Sequence, residues 1–480
     1  MIVTETELTE NILPPGEGRH RRRWIGVVVV AALLAAGTGA YFAVHHDAGQ
    51  TFPKTWDPRV ADVAAFVAKE RGLTFEHPVE VDFLSADAFE KLVRRDQSSL
   101  TADDKAQIED SASFLRALGL IGTDVDLFAA VNDLNGDGTL AFYDDETKTV
   151  KVRGTTMTPA LRSTLAHELT HTLQDQHFDL GRIDKLQGSA SDALRGLAEG
   201  DANRVQHAYE ASLDDADQQA IAAADSSDVQ SFDESRFPAV LAASFSAPYS
   251  LGEPLAAMIV AVKGQKGLDA AFQHPPTSDL ALFDPLRYLD GDKPLKVPAL
   301  VAGKGEEKVD DGEFGAFSLY LVLAQRLDQK RALSVAAGWG GDDYLQYRAD
   351  GHTCVRATFD GRDAPSIAAL QSGLADWARS MPAGTATVHD VDGGASLQSC
   401  DLGAPVTVPK DLTVDKLLGL PTARVQIAQE VLQQGGDVRA ARCFSDGVVN
   451  LLSVDQITAS ELDAATTDRI QAVAKSCRVS

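Results

Sequence analysis

The most regular pattern of hydrophobic and polar positions in the chain begins just after Thr158. Leucines recur at every fourth position, at Leu161, Leu165, Leu169 and Leu173. This spacing indicates a helix with one buried face. Thr158 offers a hydroxyl group to cap the first turn, and Pro159 follows at the first helical position, where its missing N–H costs nothing. We therefore predict a buried helix that begins at Pro159.

Two further patterns flank this helix. Before it, residues 140–143 and 149–153 predict two strands joined by a turn at residues 144–148. After it, residues 191–209 repeat apolar positions at helical spacing and predict a second helix. Gly200 has no side chain and would let this second helix approach the first one closely.

The rest of the chain mixes helical and strand-like patterns. Helical patterns begin at residue 59 and recur in residues 86–95, 103–117, 237–263, 312–337, 366–379 and from 412 onward, whereas strand-like patterns occupy residues 78–83, 344–359 and parts of 385–408. Together these patterns predict an α+β fold.

Residues 24–44 contain no charged side chain and follow a basic run at residues 19–23. As a helix this stretch would be about 30 Å long, which matches the hydrocarbon core of a bilayer. Because basic residues favour the cytoplasmic side, we predict a cytoplasmic tail (residues 1–23), a transmembrane signal-anchor helix (residues 24–44) and an extracellular stalk (residues 45–58). The alternative is a signal peptide cleaved near Thr38-Gly39-Ala40, which would leave a secreted protein.

Composition agrees with an exported body. The 70 acidic and 44 basic residues give a formal net charge of −26, which argues against a nucleic-acid partner, because phosphate binding requires clustered Lys and Arg. Membrane contact is expected only through residues 24–44.

The four cysteines all follow the predicted membrane helix, where oxidising conditions favour two disulfides. Sequence allows three pairings, and we favour Cys354 with Cys400 and Cys443 with Cys477, because the second pair brackets a helical stretch.

The candidate chemistry lies on the helix predicted after Thr158. His167, Glu168 and His171 form the pattern H-E-x-x-H. Positions i and i+4 lie above one another on a helix, so both imidazoles can reach one metal ion with Glu168 beside them. Zinc with three protein ligands keeps a fourth position for water, and Glu168 would be the base that takes a proton from it. The alternative is an amphipathic helix with ordinary histidines.

A catalytic zinc site needs a third ligand, and we favour Glu199 on the second predicted helix. Asn203, one turn later, would hydrogen-bond the outer nitrogen of a liganding histidine. The alternative role for Glu199 is an exposed ion pair with Arg195.

The other candidate for the third ligand is His177. It has the spacing of the last histidine in H-E-x-x-H-x-x-G-x-x-H, but Gln174 replaces the glycine of that pattern. Gln174 favours a continuing helix, which would carry His177 away from the metal.

Residues 133–144 have the spacing of a calcium-binding loop, except that Asp144 stands where a bidentate Glu is usual. No clear helix follows them. We therefore predict that Asn135-Gly136-Asp137-Gly138 forms a turn that leads into the hairpin, with Ca²⁺ binding as the alternative.

Several stretches resemble a family of exported bacterial zinc metallopeptidases. They are YDDETKTVKVRG at residues 143–154, LAHELTHTLQDQHFDL at 165–180, LAEGDA at 197–202, PYSLG at 248–252, HPPTSDLALFDPLRY at 274–288 and AAGWGGDDY at 336–344. The resemblance covers roughly residues 141–344. It implies a zincin-type fold in a gluzincin arrangement, with His167, His171 and Glu199 on Zn²⁺ and Glu168 as the base.

With this resemblance we expect a zincin-like metallopeptidase domain (residues 59–345), an α+β extension (residues 346–410) and a small helical C-terminal module (residues 411–480) pinned by a disulfide. The expected function is zinc-dependent hydrolysis of peptide bonds outside the cytoplasm. The edge of the predicted hairpin would hold an extended peptide or protein substrate, or would only pack. Candidates for stabilising the oxyanion are Tyr249, Tyr288, Arg287 and His207. The alternative function is a catalytically inactive, zinc-containing extracellular binding or scaffold protein.

Overall fold

A computed structural model describes residues 51–479, except residues 187, 232–235, 410, 458 and 460–461. The predicted cytoplasmic tail (residues 1–23) and transmembrane helix (residues 24–44) lie outside the described residues. Residues 51–58 of the predicted stalk contain neither helix nor strand. They pack against the body, because Trp56 meets Phe75 edge-on with 4.9 Å between the ring centroids.

Helices dominate the described chain and are interrupted by eight described strands. The first part contains α1 (Ala61–Arg71), β1 (Glu80–Leu84), α2 (Ala86–Val93), α3 (Ala102–Ala117), α4 (Leu127–Gly138), β2 (Ala141–Asp144), β3 (Thr149–Arg153), α5 (Pro159–Phe178), α6 (Ser189–Ala211), α7 (Asp215–Ser231) and α8 (Ala239–Gln273). The second part contains α9 (Leu280–Phe283), α10 (Pro285–Leu289), β4 (Glu307–Gly312), α11 (Ala316–Ala324), α12 (Gln329–Ala337), β5 (Trp339–Ala349), β6 (His352–Gly361), α13 (Ala364–Ser380), β7 (Ala386–Val391), β8 (Gly394–Cys400), α14 (Val414–Gln433), α15 (Val438–Leu451), α16 (Val454–Ile457) and α17 (Ala464–Cys477).

The described strands form two sheets. The first has the order β1-β3-β2, with β1 parallel and β2 antiparallel to the central β3. The second has the order β4-β5-β6-β8-β7 and is antiparallel throughout. The β2–β3 hairpin confirms the strands predicted before the motif helix, and the combination of helices with one mixed and one antiparallel sheet confirms the α+β class.

The leucine face of α5 is buried as predicted. Leu165, Leu169 and Leu173 are fully buried in a hydrophobic cluster that also contains Val63 and Val67 of α1 and residues of the three-stranded sheet. This packing fixes α5 against the sheet, so the opposite face of α5 turns toward α6.

Among the described residues, α8 is the one helix long and apolar enough to cross a membrane, and 67% of its most apolar stretch is buried inside the protein. It packs along α6 on one side and α14 on another. Pro248 and Pro254 lie inside it, and Gly264, with a φ of 70°, breaks its direction. α8 is therefore the central core helix of this body.

Both favoured disulfides are confirmed. Cys354 and Cys400 face each other on the paired strands β6 and β8, and Cys443–Cys477 joins α15 to α17. Because disulfides persist in oxidising compartments, they agree with an exported body.

The C-terminal helices share their core with the rest of the body. Leu417 and Leu420 of α14 belong to the same hydrophobic cluster as the apolar side chains of α8. Arg424 of α14 reaches Asp284 at 2.8 Å, and both side chains are almost fully buried. The predicted boundary between residues 345 and 346 lies inside β5. Periodicity predicted the helices after residue 412 and the strands within residues 344–359, but it carries no information about which of these elements pack against each other.

The turn predicted at Asn135-Gly136-Asp137-Gly138 is wrong, because these residues form the last turn of α4. Asp133, the first position of the proposed calcium loop, is held by ion pairs with Arg94 and Arg236. Arg153 donates to the Gly136 carbonyl at 2.9 Å. A helical backbone here lacks the loop conformation that a calcium site of this pattern requires.

Candidate metal centre

α5 presents the candidate ligands because both its start and its buried face are fixed. The Thr158 hydroxyl accepts a hydrogen bond from the N–H of Leu161 at 3.1 Å, and Pro159 occupies the first helical position. The leucines pack toward the sheet. His167 and His171 are directed toward Glu199 of α6, and the Glu168 carboxylate accepts the backbone N–H of Tyr143 on β2.

α6 is positioned by contact with α8, and the predicted close approach of Gly200 to α5 is corrected. A Cβ atom on Gly200 would lie 2.0 Å from the Gly252 carbonyl carbon, and one on Gly252 would lie 2.0 Å from the Gly196 carbonyl oxygen. The backbones of α6 and α8 therefore touch at these three glycines. This crossing fixes the rotation of α6 and hence the direction of Glu199.

Three predicted ligands meet between α5 and α6. Glu199 Oε2 lies 3.1 Å from His167 Nε2 and 3.2 Å from His171 Nε2, and the two imidazole nitrogens are 3.0 Å apart. Their side chains are 8%, 12% and 7% exposed for His167, His171 and Glu199. Among the described residues these three form the group whose donor atoms could hold a metal ion.

Gln206 determines which nitrogen of His167 carries a proton. The Gln206 amide nitrogen donates to Ser163 Oγ at 3.0 Å and to Glu210 Oε1 at 3.3 Å. Its amide oxygen therefore faces His167 Nδ1, 3.2 Å away. Because that oxygen only accepts, Nδ1 donates, and Nε2 of the neutral imidazole carries a lone pair.

Gln174 likewise determines which nitrogen of His171 carries a proton. Its amide nitrogen donates to the Ala198 carbonyl and to Asp201 Oδ2, each at 3.0 Å. Its oxygen accepts from His171 Nδ1 at 3.0 Å. Two imidazole lone pairs and one carboxylate oxygen thus point at one another, and this arrangement repels itself unless a positive charge lies between them.

The pKa shifts of His171 and Glu199 also indicate that a positive charge between these donor atoms is favourable. Burial opposes the charged form of His171, but the Glu199 carboxylate outweighs burial and raises the pKa of His171 to about 9. Burial likewise opposes the ionised form of Glu199, yet the imidazoles of His171 and His167 lower the pKa of Glu199. A metal ion supplies the required charge without protonating the ligands.

The donor set and its spacing fit a zinc ion. Ligands at about 2.0–2.1 Å from a tetrahedral zinc ion lie about 3.3 Å apart, close to the observed separations of 3.0–3.2 Å. Nitrogen and carboxylate donors are also accepted by other divalent transition metals. The geometry therefore gives a group that could hold a metal ion, and it does not identify the metal.

Glu168 lies beside the three ligands and is 6% exposed. Burial raises its pKa, against the opposing effect of the imidazoles of His167 and His171. The backbone N–H of Tyr143 on β2 donates to its carboxylate. Since β2 is an edge strand, the predicted edge strand does lie next to the motif helix.

His177 is excluded as a ligand. α5 continues to Phe178, and His177 Nε2 instead contacts the Thr74 carbonyl oxygen at 2.8 Å. The prediction that Gln174 lets the helix continue is confirmed.

The Nδ1 atoms of His167 and His171 are hydrogen-bonded to Gln206 and Gln174 and not to Asn203, so the predicted outer hydrogen bond is corrected. That role belongs to Gln206 and Gln174, which sequence reasoning did not assign. A signal for both was present: Gln174 follows His171 by three residues and Gln206 follows Glu199 by seven, so each lies on the ligand-bearing face of its helix.

The four candidates for stabilising the oxyanion lie in different places and have different contacts. The ring of Tyr249 on α8 stacks 6.3 Å from the His167 ring. His207 pairs with Glu253 at 2.6 Å, Arg287 binds Asp292 and the Trp339 carbonyl, and Tyr288 lies beside Lys263. Of the four, Tyr249 has a described contact with a candidate ligand.

Comparison with known proteins adds no relative: no protein-family model, curated protein or solved structure matches the chain.

Proposed function

We propose that this protein is a zinc metallopeptidase that hydrolyses peptide bonds outside the cytoplasm. The observation that carries the proposal is the convergence of donor atoms from His167, His171 and Glu199, which lie within 4.8 Å of one another, with the buried carboxyl group of Glu168 beside them. A metal site with a purely structural role does not need a general base beside its ligands. The resemblance to exported zinc metallopeptidases gives the reaction type.

When bound, zinc would polarise the scissile carbonyl and lower the pKa of its bound water. The residues of the chain supply the remaining chemistry. Glu168 takes the proton of the attacking water and passes it to the leaving amine, and its raised pKa makes proton uptake easier. Gln206 and Gln174 keep each Nδ1 protonated, so both Nε2 atoms stay available as ligands. Tyr249, beside His167, is the favoured group for stabilising the oxyanion.

Substrate binding is proposed at the edge strand β2. Its main chain is unpaired on one side within the three-stranded sheet, and its Tyr143 N–H contacts the proposed base. An extended peptide that pairs with β2 would lie next to Glu168 with little demand on its side chains.

The proposed location follows from the disulfides and the N-terminal sequence. Cys354–Cys400 and Cys443–Cys477 indicate folding under oxidising conditions. Residues 24–44 would anchor the body to the cell membrane, with secretion after cleavage as the alternative.

The decisive test compares the native protein with Glu168→Gln. Both proteins, loaded with zinc, are incubated with a broad peptide library, and cleavage is read by mass spectrometry while bound metal is measured by elemental analysis. We expect native cleavage, normal zinc content in Glu168→Gln, and a loss of activity of at least about a hundredfold. Native protein that binds zinc but cleaves no peptide would support the scaffold function instead.

A further inference from the structure

Arg71 and Asp201 form an ion pair in the interior of the protein. Arg71 is the last residue of α1, Asp201 lies on α6, and both side chains are fully buried. Arg71 Nε is 2.6 Å from Asp201 Oδ2. Because desolvation of two charges offsets much of their attraction, a buried pair of this kind gives little net stability. The carboxylate, however, also holds a group that belongs to the candidate metal centre.

The Asp201 carboxylate is connected to the candidate ligand His171 through Gln174. Asp201 Oδ2, the oxygen that pairs with Arg71, accepts a hydrogen bond from the Gln174 amide nitrogen at 3.0 Å. The Gln174 amide oxygen lies 3.0 Å from His171 Nδ1, and Gln174 is fully buried. Three successive contacts therefore connect the end of α1 to one of the metal-binding side chains.

The charge of Asp201 favours one of two orientations of the Gln174 amide group. In the reversed orientation the amide oxygen would face the Asp201 carboxylate and the Ala198 carbonyl, which only accept hydrogen bonds. The amide N–H would then face His171 Nδ1, and the proton of the neutral ring would move to Nε2, the atom that faces Glu199. Since a hydrogen bond to a charged acceptor is roughly twice as strong as a neutral one, Asp201 opposes this reversal more than Ala198 does.

Cations hold the Asp201 carboxylate in place. Arg71 pairs with Oδ2, and Arg204 donates to Oδ1 at 3.1 Å. Arg71 also pairs with a second carboxylate, Asp269 of α8, at 3.0 Å. Within the described structure the Gln174 amide nitrogen is hydrogen-bonded to Ala198 and Asp201, so Asp269 shares the cation of Asp201 but not its contact with Gln174.

We propose that Asp201 is a positioning residue for the metal ligand His171, acting through Gln174 and held by Arg71. This inference rests on the metal centre of the proposed function. Asp201 acts on the Gln174 amide group, and the amide oxygen in turn keeps the proton of His171 on Nδ1. The lone pair of Nε2 therefore stays available, and the end of α1 takes part in maintaining the metal site.

The experiment is a double-mutant cycle on zinc affinity. Competition with a chromogenic chelator measures the affinity of the native protein, Asp201→Asn, Gln174→Ala and the double variant. Asp201→Asn should weaken zinc binding about tenfold, the lower end of the effect of losing a partner outside the ligands. In the Gln174→Ala background the same change should have no further effect on zinc affinity, because the group through which Asp201 acts is missing. Equal losses in both backgrounds, or no loss in either, would overturn the inference.

Asp269→Asn is the matched control, because it removes the other carboxylate that pairs with Arg71. It should leave zinc affinity unchanged, whatever it does to the melting temperature of the metal-free protein. If Asp269→Asn weakens zinc binding as much as Asp201→Asn does, the loss of a charge beside Arg71 explains the effect without Gln174, and the inference is overturned.

An exchanged pair tests the same contact if Asp201→Asn alone fails to fold, since that variant removes a charge partner of the buried Arg71. Gln174→Glu combined with Asp201→Asn keeps the net charge and again places an N–H group opposite a carboxylate. The double variant should therefore bind zinc more tightly than Gln174→Glu alone. Failure of the second change to restore affinity would contradict the proposed role of Asp201.

These measurements do not depend on peptide cleavage. Native protein that binds zinc but cleaves no peptide would contradict the proposed peptidase function, and the cycle would still decide the role of Asp201. Native protein that binds no zinc would overturn both.

Discussion

At the scale of single residues, His167, His171 and Glu199 bring three possible metal-binding atoms together between α5 and α6. Their donor atoms are 3.0–3.2 Å apart, and hydrogen bonds from the outer nitrogens leave lone pairs facing one another. Removing one donor should therefore weaken metal binding strongly, whereas removing a nearby histidine outside the group should not.

We expect Glu199→Ala to lower zinc affinity by more than about a hundredfold, because even the loss of an outer hydrogen-bond partner costs about 10- to 100-fold. Competition titration with a chromogenic chelator measures this affinity. His177→Ala is the matched control and should bind zinc normally, since His177 contacts the Thr74 carbonyl. Retention of zinc by Glu199→Ala would contradict the assigned ligand set.

The ligands could be predicted from the sequence because a helix converts spacing into direction. His167 and His171 share a face at i and i+4, and Glu199 lies on the next strongly periodic segment. Spacing also places Gln206 on the face of α6 that carries Glu199, but it does not predict the orientation of the Gln206 amide group. It depends on Ser163 and Glu210, whose approach is set by the crossing of two helices.

At the scale of elements, the crossing of α6 and α8 determines where Glu199 points. The added Cβ of an alanine at Gly200 would lie 2.0 Å from backbone atoms of α8, so the two helices would have to separate. This links the packing of the core to the metal site.

Gly200→Ala should destabilise the fold by about 1–3 kcal/mol through overpacking and should also lower zinc affinity. Thermal unfolding with and without zinc measures both effects. Gly303→Ala is the control, because the atoms nearest its new methyl group belong to the side chain of Glu306, at 3.3 Å or more, and it should change neither quantity. Normal zinc affinity in a destabilised Gly200→Ala protein would show that Glu199 does not depend on the crossing.

Elements with strong periodicity were predicted well, and those with mixed signals were not. α5 begins at Pro159 as its cap and proline predict. α4 was not predicted, and a turn was predicted where it ends, because Asn135 and Gly136 favour turns in isolation. In the structure Arg153 donates to the Gly136 carbonyl and holds that segment against the sheet. α8 continues through Pro248, since packing on both sides compensates for the lost backbone hydrogen bond.

At the scale of the whole molecule, the body has an integrated core in which the C-terminal helices take part. α14 packs along α8, the Tyr320 hydroxyl donates to the Leu417 carbonyl at 2.7 Å, and Arg424 neutralises the buried Asp284. The sequence predicted these helices but not their integration, because the partners in these two side-chain contacts lie 97 and 140 residues away along the chain.

A chain that ends at residue 409 should therefore fail to fold cooperatively, since it would expose the α14-facing side of α8 and remove Arg424 from Asp284. Near-ultraviolet circular dichroism and limited proteolysis measure this loss. A chain that begins at residue 51 is the control and should retain a cooperative transition. A stable, zinc-binding product from the shortened C-terminal variant would show that residues 411–480 form a separate module.

The bridge between Cys354 and Cys400 joins two strands of one sheet, and the segment between them includes all of α13 and β7. A single backbone cut within that segment, made by a contaminating protease, would leave the two fragments covalently attached. The damage would be invisible on a non-reducing gel and would show as two bands after thiol treatment. Gel mobility without reductant therefore overstates how much of an aged preparation is intact.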